Sequence, residues 1–275
     1  MLCQIILTPW ESKRLIAQAV VRLPEVQDAL QHGIVSVARG ITTSFIMDEL
    51  LTDFNKEQYC IGCIEPTRLC LVQARDRLPE IAFIDGEPKE IPSAEIIKEM
   101  GPSDVFIKGA NAVDCHFEAA ILLGSPVGGT IGAVIGAINA KGIQFILPVG
   151  LEKLIPYSVR EASKFTGFQK VSYAMGMAVG MFPVQGKVIT EIQALEQGTV
   201  TAMPIASGGV NGAEGASILS IQGEQKDVET VLTLVAAVKG QPPLKMPTQA
   251  CSTCDHATCP WKGTDGVEVD YSRVT

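Results

Sequence analysis

The stretch from Asp104 to Pro156 restricts the fold of this chain more than any other. An apolar run, Val105 to Ile107, stops at Lys108-Gly109. A glycine-rich turn, Gly124-Ser125-Pro126-Val127-Gly128-Gly129-Thr130, leads into small residues at helical spacing. A second apolar run, Ile143 to Val149, stops at Gly150. Strand, glycine turn, helix and strand in this order make a βαβ unit. Ligands of open α/β sheets gather at the carboxyl ends of such strands, and both ends here carry glycine and polar residues. A binding site is therefore expected.

The rest of the chain alternates in the same manner. Ser12 to Leu23 reads as a helix capped by Ser12, and Glu25 to Gln31 as a second. Ile34 to Ala38 reads as a strand, Gly40 to Ser44 as a turn, and Phe45 onward as a helix. Residues 55–78 have no single period. Glu80 to Ile84 reads as a strand, Ala94 to Met100 as a helix capped by Ser93, and Leu151 to Phe165 as mostly helical. After Gly186 come short strand patterns at Val188 to Ile192, Val200 to Ala206 and Ala216 to Ile221. The helix pattern Asp227 to Val238 follows, with an apolar stripe. This predicts a main α/β domain over 1–185, a smaller α+β region over 186–240, and a Pro-rich linker with a Cys-rich tail over 241–275.

Charge and composition exclude several classes. A net charge of −8 argues against nucleic acid as partner. No apolar run reaches the roughly 18 residues of a membrane span. The N-terminus, MLCQIILTPWESKR, lacks a basic n-region and a cleavage pattern, so a cytoplasmic location with reduced thiols is expected. Eight cysteines are high for such a chain and clustered, and in a reducing compartment that spacing favours metal over disulfides.

Gly40 to Ser44 has the makings of an anion site. A strand ends, Gly40 frees the backbone, and Thr42, Thr43 and Ser44 stand where a helix begins with its electropositive end. The same residues suit an ordinary strand-to-helix turn. In order and spacing, SKRLIAQAVVRL…GIVSVARGITTSFIMDEL resembles the opening of ribose-5-phosphate isomerase with its phosphate loop. IKGANAVD resembles that family's Asp-Gly-Ala-Asp segment. LLGSPVGGTIGAVIGAINAKGIQFILPVGLEKLIP resembles its glycine-rich helix and following strand. Glucosamine-6-phosphate deaminase and the coenzyme A transferases share this architecture.

The resemblance covers roughly residues 12–156. It implies a Rossmann-like parallel sheet flanked by helices, and a small anionic ligand, phosphorylated or of the coenzyme A type. It marks Gly40, Thr42, Thr43, Ser44, Lys108, Asn111, Asp114, Gly128, Gly129, Thr130 and Lys153 as its ligand-binding residues. The isomerase carboxylate would fall near Ile131 to Val134, where no residue ionises, so little isomerase activity is expected. A transferase glutamate could be Glu118 or Glu214. A homo-oligomer is compatible with all of this.

Cys251-Ser-Thr-Cys254-Asp-His256-Ala-Thr-Cys259-Pro is the second signal. Three thiolates within nine residues can point at one ion, with His256 as a fourth ligand to zinc. Three cysteines plus a remote one, from Cys60, Cys63 or Cys70, can instead hold an iron–sulfur cluster. Cys251, Cys254, Cys259, Cys60 and Cys63 are the candidate ligands. The alternative function is thus a metal- or iron–sulfur-dependent sensor or redox protein.

Overall fold

The computed structural model describes residues 1–196, 198–254, 256 and 259–264. The strands among them are β1 (Leu2–Leu7), β2 (Ile34–Val37), β3 (Gly62–Glu65), β4 (Arg68–Leu71), β5 (Ile81–Ile84), β6 (Glu87–Glu90), β7 (Val105–Ile107), β8 (Ala112–Val113), β9 (Ala119–Leu123), β10 (Gln144–Pro148), β11 (Gly180–Val184), β12 (Lys187–Ile189), β13 (Val200–Gly208) and β14 (Ala216–Gly223). The helices are α1 (Pro9–Val21), α2 (Pro24–His32), α3 (Ile41–Leu50), α4 (Ser93–Ile96), α5 (Gly129–Lys141), α6 (Val159–Ser163), α7 (Glu191–Glu196) and α8 (Gln225–Val238).

The fold is mixed α/β around a six-stranded mixed sheet, β12-β10-β7-β2-β5-β6. β12, β10, β7 and β2 run parallel, and β5 and β6 add an antiparallel edge. Alternate side chains point to opposite faces of a strand, which sorts the core into two layers. Phe106, Phe145 and Leu147 pack beneath α4 and α5. Val105, Ile107 and Ile146 pack beneath α1, α2 and α3. Both faces are covered, which is why these strands read as continuous apolar runs.

Helix α1 starts earlier than the Ser12 cap predicts. Thr8 and Glu11 form a reciprocal capping box, and Pro9 takes the first helical position. Helix α3 likewise starts at Ile41 rather than Phe45, so Thr42, Thr43 and Ser44 belong to its first turn. The predicted helix over Ala94 to Met100 shrinks to α4, at Ser93–Ile96.

A second sheet, β1-β14-β13, is antiparallel. Its outer strand β1 comes from the N-terminus and pairs from Leu2↔Gln222 to Leu7↔Ser217. Val228, Val231, Val235 and Val238 of α8 share the buried cluster of this sheet with Ile5, Leu7, Leu219 and Ile221. Strand β12 meanwhile joins the main sheet, so strand pairing crosses residue 186 in both directions.

Two smaller sheets complete the fold. Strands β8 and β9, which lie between β7 and α5, form an antiparallel sheet with the later β11. Strands β3 and β4 form a hairpin over residues that showed no period. The C-terminal segment docks on this hairpin through the Val72↔Thr248 bridge and the Arg68 Nη2 donation to Gln249 O at 2.6 Å. Trp261 is buried and donates its indole N–H to the Tyr173 hydroxyl at 3.0 Å. Among the described residues, no helix is long and apolar enough to cross a membrane.

Candidate functional site

Backbone pairing continues past the ends of the parallel strands. Ala38 N–H donates to Ile107 O at 2.9 Å, Lys108 N–H to Ile146 O at 3.0 Å, and Val149 N–H to Ile189 O at 3.0 Å. The extra rungs carry Arg39-Gly40, Lys108-Gly109 and Gly150 to Lys153 onto one edge of the sheet. Three lysines collect there. Lys108 Nζ donates to Arg39 O at 3.4 Å, beside the start of α3. Lys153 Nζ donates to Ala110 O at 2.9 Å. Lys13 Nζ reaches in from α1 and pairs with Glu152 Oε1 at 2.6 Å.

These charges perturb one another. Burial holds the Lys153 ammonium down at about 8, with Lys13 and Lys108 adding repulsion and Glu152 opposing both. Burial lowers Lys108 as well. The Cys60 thiol, fully buried, is pushed up by burial and drawn back by Lys108, Lys153 and Arg77. Burial would raise Glu152, but Lys13 and Lys153 outweigh it and hold this carboxylate below its usual range. Glu191 is pushed up to about 7, first by burial and then by the charge of Glu152. Two neighbouring carboxyls are thus set apart, one ionised at physiological pH and one that titrates close to it. Glu152 Oε2 is buried without a hydrogen-bond partner among the described residues, folded back over the bare α-carbon of Gly150.

The predicted ligand-binding residues fall into three groups. Gly40, Lys108 and Lys153 stand at the lysine edge. Helix α3 has no side-chain cap, so its first-turn N–H groups of Ile41, Thr42 and Thr43 have no acceptor among the described residues. Thr42 Oγ1 is buried and unpartnered too. The Thr43 hydroxyl is spent on Ala38 O at 2.7 Å, and that of Ser44 on Ile41 O at 2.8 Å.

A second group is taken up by the backbone. Asp114 is buried and accepts from the N–H groups of His116, Glu118 and Val159 at 2.9, 3.1 and 3.1 Å. Burial would raise it, but these donors hold it below the carboxylate range. Asn111 Oδ1 accepts from Leu122 N–H at 3.0 Å and pins β8 to β9. Gly128, Gly129 and Thr130 form the third group. They start α5 in the layer opposite α3, with Gly128 in the left-handed region as the cap. Of the two transferase candidates, Glu118 pairs with exposed Arg160, and Glu214 accepts from Gly212 N–H in a hairpin turn.

The cysteines gather elsewhere. The hairpin register places Cys63 opposite Cys70 with their sulfurs 3.7 Å apart. With Glu65 their ligand atoms lie within 4.8 Å of one another, a group that can hold a metal ion. Among the described residues this is the one such group of three, and the tail cysteines do not form another. Instead Cys251, Cys254, Cys259 and His256 line, together with Cys70, one cavity of about 380 Å³. Cys60 turns away from that cavity and donates its thiol to Gly62 O at 3.2 Å.

No family model, curated protein or solved structure matches the chain. The site has to be read from its own chemistry. Sequence reasoning missed Lys13, Glu152 and Glu191, and it left Cys70 outside the chosen ligand set. Lys153 is named as a binding residue, but its neighbour Glu152 is not. Nothing local ties Glu191 to it, because the two carboxylates meet only through tertiary packing.

Proposed function

We propose that this chain binds a small anionic metabolite, phosphorylated or of the coenzyme A type, at the lysine edge of its main sheet. One observation carries the reading: Lys13, Lys108 and Lys153 converge where α3 begins with open N–H groups. Clustering three desolvated ammonium groups costs stability, and a bound anion relieves that cost. The parallel run β12-β10-β7-β2 with helices on both faces supports a Rossmann-like reading of the sheet, and ligands of such sheets sit at this end. The likeness to ribose-5-phosphate isomerase and the coenzyme A transferases points the same way. The Glu152 and Glu191 pair supports isomerase- or transferase-like proton transfer by carboxyls that the isomerase motif does not supply. Eight free cysteines support a reducing, cytoplasmic setting.

The test is calorimetry with inorganic phosphate, sugar phosphates and coenzyme A on the wild type and on Lys108→Met. One charge-assisted contact is worth about 1.5–3 kcal/mol, so the variant should bind roughly 10- to 150-fold more weakly. Equal affinity in both proteins, or no binding of any of these anions, overturns the reading.

A second reading, a metal- or iron–sulfur-dependent sensor or redox protein, is favoured by the Cys63, Glu65 and Cys70 group. Metal analysis and visible absorption of anaerobically purified protein test it. A broad band near 400 nm marks a cluster, and a colourless protein with bound zinc marks a zinc site.

A further inference from the structure

We propose that the β3–β4 hairpin and the C-terminal segment share one metal centre, in which Cys63, Cys70, Glu65 and Cys251 bind a single zinc-class divalent ion. This rests on the metal reading above and adds to it the ligand set, the class of ion and a consequence for the fold.

Distance places both thiolates on one metal ion, and the Glu65 oxygen beside them suits a zinc-class ion. Cys63 and Cys70 face each other across the hairpin with sulfurs 3.7 Å apart. A tetrahedral ion with metal–sulfur bonds of about 2.3 Å has a sulfur–sulfur edge of about 3.8 Å. The hairpin therefore presents one edge of that tetrahedron already formed. A [4Fe–4S] cluster would put each cysteine on a different iron and spread the sulfurs wider, whereas this edge suits two thiolates on one metal ion. The Glu65 carboxylate lies within reach of both sulfurs and offers an oxygen ligand.

The fourth ligand follows from Arg68. Its guanidinium donates to Glu65 Oε2 at 2.9 Å and hydrogen-bonds Cys251 Sγ. One cation thus already bridges the hairpin acid and the first tail thiol. Cys251 lies outside the 4.8 Å group, and an ion held by Cys63, Cys70 and Glu65 would draw it in as the fourth ligand while Arg68 withdraws to the outer shell. Three thiolates and one carboxylate around a divalent ion carry a net charge of −2. Arg68, Arg75 and Arg77 line the cavity that Cys70 and Cys251 also line, and offset it. Each ligand thiol must give up its proton, so binding one ion releases about three protons to buffer.

The consequence concerns the tail. Beyond Gly240 the chain is held to the hairpin by the Val72↔Thr248 bridge and by Gln249 on Arg68, and farther along to Tyr173 by Trp261. A metal bond from Cys251 to both hairpin strands would clasp it there.

The experiment uses the full, reduced chain with Zn2+ and then Co2+. The expected result is one ion per chain and about three protons released. The Co2+ form should show tetrahedral bands, with sulfur-to-metal absorption for three thiolates. Cys70→Ser and Cys251→Ser should each lose one thiolate's share of that absorption. Each should also lose more affinity than the ~10–100-fold that an outer-shell partner costs. Zn2+ should slow tryptic cleavage at Lys245 and Lys262 in the wild type but not in Cys251→Ser. Exposed Cys115→Ser should change nothing. Should Cys70→Ser fail to fold, Cys251→Ser, outside the sheets, carries the test alone. If Cys251→Ser keeps full affinity and an unchanged spectrum, the shared centre is wrong while the hairpin metal site stands. If the reduced wild type takes up neither ion, both fall.

Discussion

Glu191 gives the sharpest quantitative test of how the lysine edge is built. Its carboxyl is almost wholly buried, accepts from Leu151 N–H at 2.9 Å, and lies near the charge of Glu152. Burial first, and Glu152 second, push it up to about 7 from an ordinary 4.5. The native state therefore holds a proton between about pH 4.5 and 7 that the unfolded chain has released. Stability from this group is full below pH 4.5 and is lost as pH rises through 7. A span of ~2.5 pH units at about 1.4 kcal/mol each sets an upper limit near 3.4 kcal/mol. Glu191→Gln keeps an oxygen for Leu151 N–H and cannot ionise. Its stability relative to wild type should be near zero at pH 4.5 and rise to about 2–3 kcal/mol in its favour at pH 8. Urea unfolding of both proteins at half-unit pH steps reads this directly. Parallel stability curves from pH 5 to 8, or a variant that loses ground as pH rises, would refute the argument.

Three further outcomes follow from single contacts. Asp114→Ala should cost about 2–4 kcal/mol in urea unfolding, since three backbone donors lose their acceptor, while phosphate affinity stays unchanged. Thr43→Val should cost about 1–2 kcal/mol through the lost bond to Ala38 O, whereas Thr42→Val should stay within ~0.5 kcal/mol because its buried hydroxyl has no protein partner to lose. Gly176 has φ +82°, and a Cβ there would lie 2.3 Å from Leu69 O. Gly176→Ala should therefore loosen the hairpin by roughly 1–3 kcal/mol and speed tryptic cleavage at Arg68, and an unchanged digest would count against it.

The parts of the fold legible in the sequence are those carried by long apolar periods. Val105 to Ile107, Ile143 to Val149 and the α8 stripe are buried by alternation or by helical repeat, and their elements stand close to where the pattern puts them. Strands β8 and β9 were not legible, because Ala112, Ala119 and Ala120 are small, short in run and equally at home in a helix. The start of α1 could have been read, since Thr8-Pro9-Trp10-Glu11 spells the capping box outright. The hairpin could not, because its two-residue connection, Pro66-Thr67, lacks the Asn-Gly type of signal that fixes register. Without register, Cys63 and Cys70 are merely seven residues apart.

The site was legible in its cations and illegible in its carboxyls for a related physical reason. Lys108 and Lys153 follow apolar runs, so the end of a strand locates them. Glu191 begins α7, some forty residues from Glu152, and only the pairing of β12 beside β10 brings the two together. The same pairing logic links the two sites. Arg77 lines the cysteine cavity and also acts on the Cys60 thiol, which in turn lies in the field of Lys108 and Lys153. Cys60 lies just before β3 and donates its thiol to Gly62 O, the first residue of the hairpin. The hairpin thus stands between the cysteine cavity and the lysine edge, and it belongs to the one region, 55–78, that the sequence left without a pattern.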